Sequence, residues 1–145
     1  EQAKSAVEAA EADLERLKRN LEKTEIKEFM EIDEDEDFIS FLDINPLTKG
    51  HCLVVPKKEV DYFFDLDDDL LKKIILFSKK ISCTLKRTFK CKRVGMTVIG
   101  MEVPHAHIHL IPINSESEMN FSNKKLNINE VEFKEILKKI KKNLS

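Results

Sequence analysis

The sequence contains few of the residues that interrupt regular structure or cross-link small folds. Its 145 residues include only 3 glycines, 4 prolines, 3 cysteines and no tryptophan. Because 41% of the residues are hydrophobic and 36% are charged, a disordered chain is excluded and one folded domain with a charged surface is predicted. An odd number of cysteines without C-x-x-C spacing excludes a disulfide framework and favours reduced thiols. We expect Cys52, Cys83 and Cys91 to be small buried residues.

Two further absences narrow the function. The formal net charge is −2, so the chain has no excess of positive charge to attract nucleic acid. It also contains no apolar run long enough to span a bilayer and no signal-like segment. We therefore expect a cytoplasmic protein that binds neither nucleic acid nor a membrane.

Three of the four histidines lie in the stretch Val103–Pro112, at His105, His107 and His109. They are spaced by two residues, and the residues between them are small or aliphatic. In an extended strand, alternate side chains point to the same face, so the three imidazoles are predicted to share one face. The aliphatic residues between them are then free to pack on a core.

This spacing leaves two functional interpretations open beside a purely structural one. In the first, His105, His107 and His109 ligate a transition metal. In the second, one imidazole is a nucleophile and its neighbours, partly protonated near neutral pH, hold an anionic phosphate. The spacing favours the phosphate chemistry, because a metal site needs a further carboxylate or thiolate that the sequence does not identify.

The rest of the chain predicts an α+β domain on a mainly antiparallel sheet. Period-two runs indicate strands, period-3.6 runs indicate helices, and the acidic run at 33–37 is predicted to be a hairpin turn. The polar stretch 114–127 is predicted to be a loop. The predicted strands are 26–32, 38–44, 51–56, 93–99 and 103–112, and the predicted helices are 66–88 and 128–144.

Residues 1–25 differ in composition from the rest of the chain. An Ala/Leu seam at heptad-like spacing, without Gly, Pro or aromatic residues, predicts a long amphipathic helix. The remainder is rich in Ile, Phe, Lys and Asn, so we hypothesise that this helix is engineered or grafted; a natural shift in composition is the alternative. The predicted organisation is this helix followed by one domain over residues 26–145.

The residues His105 to Ile111 resemble the His-φ-His-φ-His-φ-φ signature of the histidine triad (HIT) family of nucleotide hydrolases and transferases. The stretch 38–57 is similar to the family's nucleoside-binding strand pair, and the resemblance covers residues 26–145. It implies a HIT-like fold: a five-stranded, mainly antiparallel sheet with a central helix and a C-terminal helix. The long N-terminal helix would be an addition to that fold.

The resemblance also implies a mechanism. His107 would attack the α-phosphorus of a nucleoside phosphoramidate or related nucleotide, and water would then hydrolyse the nucleotidyl-histidine intermediate. A backbone carbonyl near His105 would orient the His107 ring. His105, His109 and His51 would surround the phosphate and supply positive charge, so no metal or other cofactor is implied.

Five residues are assigned to nucleotide binding by the same resemblance. Asp43 would accept hydrogen bonds from the ribose hydroxyls, Phe41 and Ile44 would line the base pocket, and the backbone of Val103 would hold the phosphate. Glu102 stands where related enzymes often carry a hydroxyl residue near the leaving group.

The closest branch is the Hint-like one, which consists of purine nucleoside phosphoramidases. The uridylyltransferase-like branch has Gln in place of the last histidine, which His109 excludes. Fhit-type hydrolases use a glutamine before the motif, whereas the one glutamine of this chain is Gln2. The Hint-like branch implies a purine nucleotide or phosphoramidate as ligand and a homodimer joined through the sheet and central helix. A nucleotide-binding protein with little turnover and a His-cluster metal-binding protein are the alternatives.

Overall fold

The computed structural model describes residues 30–144, so the helix predicted for residues 1–25 lies outside the described residues. The described chain forms one five-stranded sheet in the order β1-β2-β3-β5-β4, and all neighbouring strands are antiparallel. This confirms the predicted five-stranded sheet. The strands are β1 (Glu31–Glu34), β2 (Phe38–Leu42), β3 (Cys52–Pro56), β4 (Arg93–Thr97) and β5 (Ile108–Ile113).

Within residues 30–144, two α-helices pack on the sheet, as predicted for this part of the chain, but each is a few residues shorter than the sequence pattern indicates. Helix α1 spans Asp68–Thr88 and helix α2 spans Glu130–Lys142. Each begins at a side-chain cap: Asp67 accepts a hydrogen bond from the Leu70 amide, and Asn129 caps α2 in the same way. Short 3₁₀ helices lie at Phe63–Asp65 and Glu116–Met119.

Residues 35–37 of the acidic run form the turn between β1 and β2, as predicted, whereas Asp33 and Glu34 belong to β1, so the predicted turn is two residues too long. A carboxylate oxygen of Asp35 accepts hydrogen bonds from the backbone amides of Asp37 and Phe38, both at 2.8 Å. These two bonds satisfy two backbone amides of the turn.

The alternation of side chains along the strands divides the sheet into two faces. We call the side on which both helices pack the covered face, and the other side the open face. The covered face belongs to the main hydrophobic core, whereas the open face carries a small apolar cluster of Ile39, Phe41, Leu53 and Val55. The fully buried residues of the main core include Phe38, Leu42, Val54, Ile74, Ile81, Leu85, Ile108, Leu110 and Ile140.

Strand β5 begins at Ile108, so the prediction of one strand through all three motif histidines is wrong for His105 and His107. The backbone before β5 makes hydrogen bonds that are not part of the sheet. The His105 amide donates to the Val103 carbonyl at 2.8 Å, and the Ala106 amide donates to the carbonyl of Val60 at 2.7 Å. Only His109 has a place in the sheet register, opposite Leu53 on β3.

The three cysteines differ in exposure although all are free thiols. Cys52 is buried in β3, as predicted, but Cys83 is exposed and Cys91 is only half-buried, so the prediction is wrong for Cys83 and Cys91. Cys83 lies on the solvent-facing side of α1, where a small side chain is tolerated.

Within residues 30–144, no helix combines the length and the apolar character that crossing a membrane requires.

Candidate functional site

A cleft of about 340 Å³ lies on the open face of the sheet. Phe41, Leu53 and Val55 contribute to its lining from β2 and β3, because their side chains alternate away from the helices. The connection between β4 and β5 contributes Ile99 and Met101. The volume and the apolar lining are typical of a small-molecule site.

All of the predicted site residues except His51 line this cleft. From the strand pair come Phe41, Asp43 and Ile44, and from the β4–β5 connection come Glu102 and Val103, followed by the three motif histidines. The prediction that these segments form one site is therefore consistent with the geometry.

His107 is held in one orientation by the backbone. Its Nδ1 lies 2.7 Å from the carbonyl oxygen of His105. A carbonyl only accepts hydrogen bonds, so Nδ1 carries a hydrogen and donates it. In the neutral ring, Nε2 then has a free lone pair and can act as a nucleophile.

His51 and His109 are neutral at pH 7. Burial, together with the neighbouring His109 and Lys125, lowers the pKa of His51 from 6.5 to about 3. Burial and the charge of His107 lower the pKa of His109 to about 4. The expectation that these two rings supply positive charge to a phosphate is therefore wrong, because desolvation disfavours their protonated form.

The hydrogen bonds of these two rings fix where their hydrogens lie. The Leu47 amide donates to Nδ1 of His51 at 3.0 Å, so the hydrogen of this neutral ring is on Nε2. That nitrogen lies 3.0 Å from Nδ1 of His109, which must accept. The hydrogen of His109 is therefore on Nε2, and the chain from Leu47 through His51 makes His109 a directed hydrogen-bond donor.

His51 does not line the cleft, and the structure places it behind His109. It is 1% exposed, and it contacts the site through the His109 ring and through the Asp43 carboxylate. His105 is also buried, with Nε2 donating to the Pro56 carbonyl at 2.8 Å. Both rings thus support their neighbours, whereas His107 is the half-buried histidine of the motif.

Asp43 directly follows β2 and is fixed at the edge of the cleft. One carboxylate oxygen accepts from the Asn45 amide at 2.8 Å, and the other lies 3.4 Å from Nε2 of His51. Burial raises the pKa of the Asp43 carboxyl, while the Asn45 hydrogen bond and the charges of His107 and Lys125 oppose the rise.

One group in the described part of the chain has the spacing to hold a metal ion: Asp43, His51 and His109, with donor atoms within 4.8 Å of one another. It differs from the predicted trio of motif histidines. Because Nε2 of His51 carries a hydrogen directed at His109, a metal ion there would first have to displace that proton. The hydrogen bonding therefore fits a donor chain better than a metal centre.

Two side chains of the cleft, Phe121 and Lys125, were missed by sequence reasoning. They belong to the stretch predicted only as a polar loop. The Phe121 ring centroid lies 4.9 Å from that of His109 and 6.0 Å from that of His51. No periodicity marks these positions, since the segment reaches the site through an irregular path after the 3₁₀ helix.

An antiparallel sheet that presents a histidine cluster of this kind to a cleft defines the class of histidine triad proteins. Comparison with known proteins agrees with the geometry. The family model of the HIT domain matches residues 23–116, and the chain belongs to this family.

Three relatives illustrate the match. An HIT-like protein of Borreliella burgdorferi is 36% identical over 119 residues, which cover 77% of this chain and 86% of that protein. The adenosine 5'-monophosphoramidase HNT1 of Saccharomyces cerevisiae is 32% identical over 95 residues, or 65% of this chain and 60% of that enzyme. The crystal structure of a Hit-like protein from Bartonella henselae superimposes with a TM-score of 0.70 at 29% identity, covering 86% of this chain and 92% of that one.

Proposed function

We propose that this protein hydrolyses nucleoside phosphoramidates or related nucleotides at the α-phosphorus. The observation that carries the proposal is the hydrogen bond from Nδ1 of His107 to the His105 carbonyl. This bond places the ring hydrogen on Nδ1 and leaves the lone pair of Nε2 available for nucleophilic attack. Membership of the HIT family and the name of the S. cerevisiae relative support the choice of substrate.

In the proposed mechanism, Nε2 of His107 attacks the α-phosphorus as the bond between phosphorus and the leaving nitrogen breaks. The leaving nitrogen keeps the electron pair of the broken bond, takes a proton from water and departs as the amine, and a nucleotidyl-histidine intermediate remains. The Nε2 hydrogen of His109 donates to a phosphate oxygen and stabilises the charge that develops there. Water then cleaves the phosphorus–nitrogen bond to His107 and releases the nucleoside monophosphate.

Nucleotide recognition is proposed to use the strand pair. Asp43 accepts hydrogen bonds from the ribose hydroxyls, and Phe41 and Ile44 contact a purine base, for which the apolar lining from β2 and β3 is suited. The Val103 backbone binds the phosphate, and Glu102 lies beside the leaving group. A carboxylate at this position favours a cationic amine as leaving group over an anionic one.

The test is hydrolysis of adenosine phosphoramidate by the wild-type protein and by His107→Ala. We expect turnover to fall at least about a thousandfold in the variant, because the nucleophile is lost. The dissociation constant for AMP, measured by calorimetry, should change by less than about threefold, since the base and ribose contacts remain. Equal turnover by the two proteins would contradict the proposal.

Two other outcomes would point to the alternative functions. Tight AMP binding without any turnover by the wild-type protein would identify a nucleotide-binding protein. A stoichiometric metal ion in the purified protein, lost in His109→Gln, would instead favour the group formed by Asp43, His51 and His109.

We also propose that the protein is a homodimer. Strand β4 is the last strand of the sheet, and its outer edge is not paired within the described residues. It and the residues that follow expose Met96, Val98, Ile99 and Met101, which makes the edge suited to pair with a second copy. Light scattering should give twice the monomer mass, and Met96→Lys should shift the protein to monomer; a monomeric wild type would contradict the dimer.

A further inference from the structure

We propose that Lys125 binds the phosphate group of the nucleotide in the cleft, an inference that rests on the proposed function. Lys125 lies in the segment 115–126, outside the histidine motif and the strand pair. It would make this segment part of the binding site and would supply the charge that the neutral His51 and His109 lack.

The charges around the cleft support this role. Among the described residues that line it, Lys125 is the only lysine or arginine, whereas Asp43 and Glu102 are both acidic. A phosphate entering the cleft would therefore approach two acidic side chains. Because His51 and His109 are neutral at pH 7, they can donate hydrogen bonds but do not balance the phosphate charge. Lys125 is the side chain placed to do so.

The ammonium of Lys125 is held without a carboxylate partner among the described residues. It donates to the carbonyls of Phe121 and Asn123, the latter at 3.1 Å, and lies 5.7 Å from the centre of the Phe121 ring. Carbonyls and an aromatic ring orient the ammonium but leave its full charge uncompensated. The group can therefore exchange one carbonyl for a phosphate oxygen.

The segment that carries Lys125 is attached to the fold on both sides. Near its start the Met119 side chain packs against Gly95 of β4, and at its end the Leu126 amide donates to the Pro46 carbonyl at 2.9 Å. Between these anchors, the Phe121 ring packs edge-on against His109. Lys125, which precedes the Leu126 anchor and lies over the Phe121 ring, is thus held in the lining of the cleft.

The charge of Lys125 already acts on the site. It contributes to the lowered pKa of His51 and opposes the rise in the pKa of Asp43. Asp43 lines the cleft, and His51 lies directly behind His109, the ring that donates to the phosphate in the proposed mechanism.

Calorimetry with adenosine and with AMP tests this role, because the two ligands differ only in the phosphate. The proteins are the wild type, Lys125→Met, Lys125→Arg and the control Lys124→Met, which removes the same charge from the exposed neighbouring position. We expect Lys125→Met to weaken AMP binding roughly 10- to 100-fold, the range for a hydrogen bond to a charged group, and to leave adenosine binding unchanged. Lys125→Arg should recover part of the loss, and Lys124→Met should have no effect.

Three results would overturn the inference. Equal weakening of adenosine and AMP by Lys125→Met would show that Lys125 only holds the segment in place. Unchanged AMP binding in Lys125→Met, with a wild type that binds AMP, would refute the role of Lys125 and leave the proposed function intact. A wild type that binds neither ligand would contradict the proposed function and this inference together.

Discussion

The covered and open faces of the sheet are built from the same strands, but the covered face packs against the two helices and the open face borders the cleft. On the covered face, residues such as Val54 and Ile108 are fully buried by the two helices. On the open face, Leu53 and His109 alternate with them and face a cleft. A one-residue step along β3 or β5 therefore separates the core from the site.

This difference explains how a small domain keeps a polar site rigid. The apolar face sets the position of the strands, and the strands in turn fix His109 on the other face. The open face still needs parts from outside the sheet: the Leu47 amide that orients His51, the His105 carbonyl that orients His107, and the segment that carries Phe121 and Lys125. The two faces should consequently respond differently to substitution.

The largest expected effect on stability is on the covered face. Ile108→Ala should lower the free energy of unfolding by about 2–5 kcal/mol, because it leaves a cavity under the helices at a residue with 0% exposure. Urea denaturation measures the change. The matched control is Val131→Ala on α2, where the side chain is 68% exposed and the loss should stay below about 0.5 kcal/mol. Similar losses of stability in both variants would contradict the claim that the core lies on the covered face at Ile108.

Acidification should lower the free energy of unfolding through the two buried histidines of the open face, His51 and His109. His51 and His109 have pKa values of about 3 and 4 in the folded protein and 6.5 as the reference, so between these values the unfolded chain binds protons that the folded chain does not. The stabilisation that these two histidines contribute is therefore fully present above pH 6.5, and it is lost progressively as the pH falls below that value. We expect the free energy of unfolding to drop by roughly 2–4 kcal/mol from pH 7 to pH 5, opposed in part by the raised pKa of Asp43.

Urea denaturation at both pH values checks this dependence. His109→Gln should lose part of it, because one of the two buried rings no longer titrates. A variant with the same pH dependence as the wild type would show that the buried histidines are not its source.

A smaller effect is expected at Gly50, which lies in the loop between β2 and β3. Its φ is +92°, and a Cβ there would lie 2.5 Å from the Phe89 ring at the end of α1. Gly50→Ala should cost about 1–3 kcal/mol of stability and disturb the adjacent His51. Gly100→Ala is the control: its φ is +71° but no atom lies within 4 Å of the added Cβ, so only backbone strain remains. An equal cost at both positions would exclude the contact with Phe89.

Local patterns predicted much of this architecture. The alternation of apolar and polar residues predicted β2 and β3, and helical periodicity predicted α1 and α2. The spacing of the histidines identified the motif. The start of β5 was missed because hydrogen bonds to Val60 and Val103 remove residues 103–106 from the sheet, which no side-chain pattern records. Lys125 was missed for a similar reason, since its place at the cleft depends on the distant Pro46 carbonyl. The protonation states of His51 and His109 depend on burial, which composition does not reveal.

The most direct test of His107 as the nucleophile is mass spectrometry of the protein shortly after mixing with adenosine phosphoramidate, without an acid quench. Peptide mapping would then locate any adduct. The account predicts an adenylyl group on His107 in the wild-type protein and none in His107→Ala. An adduct on another residue, or release of AMP that persists in His107→Ala, would contradict it.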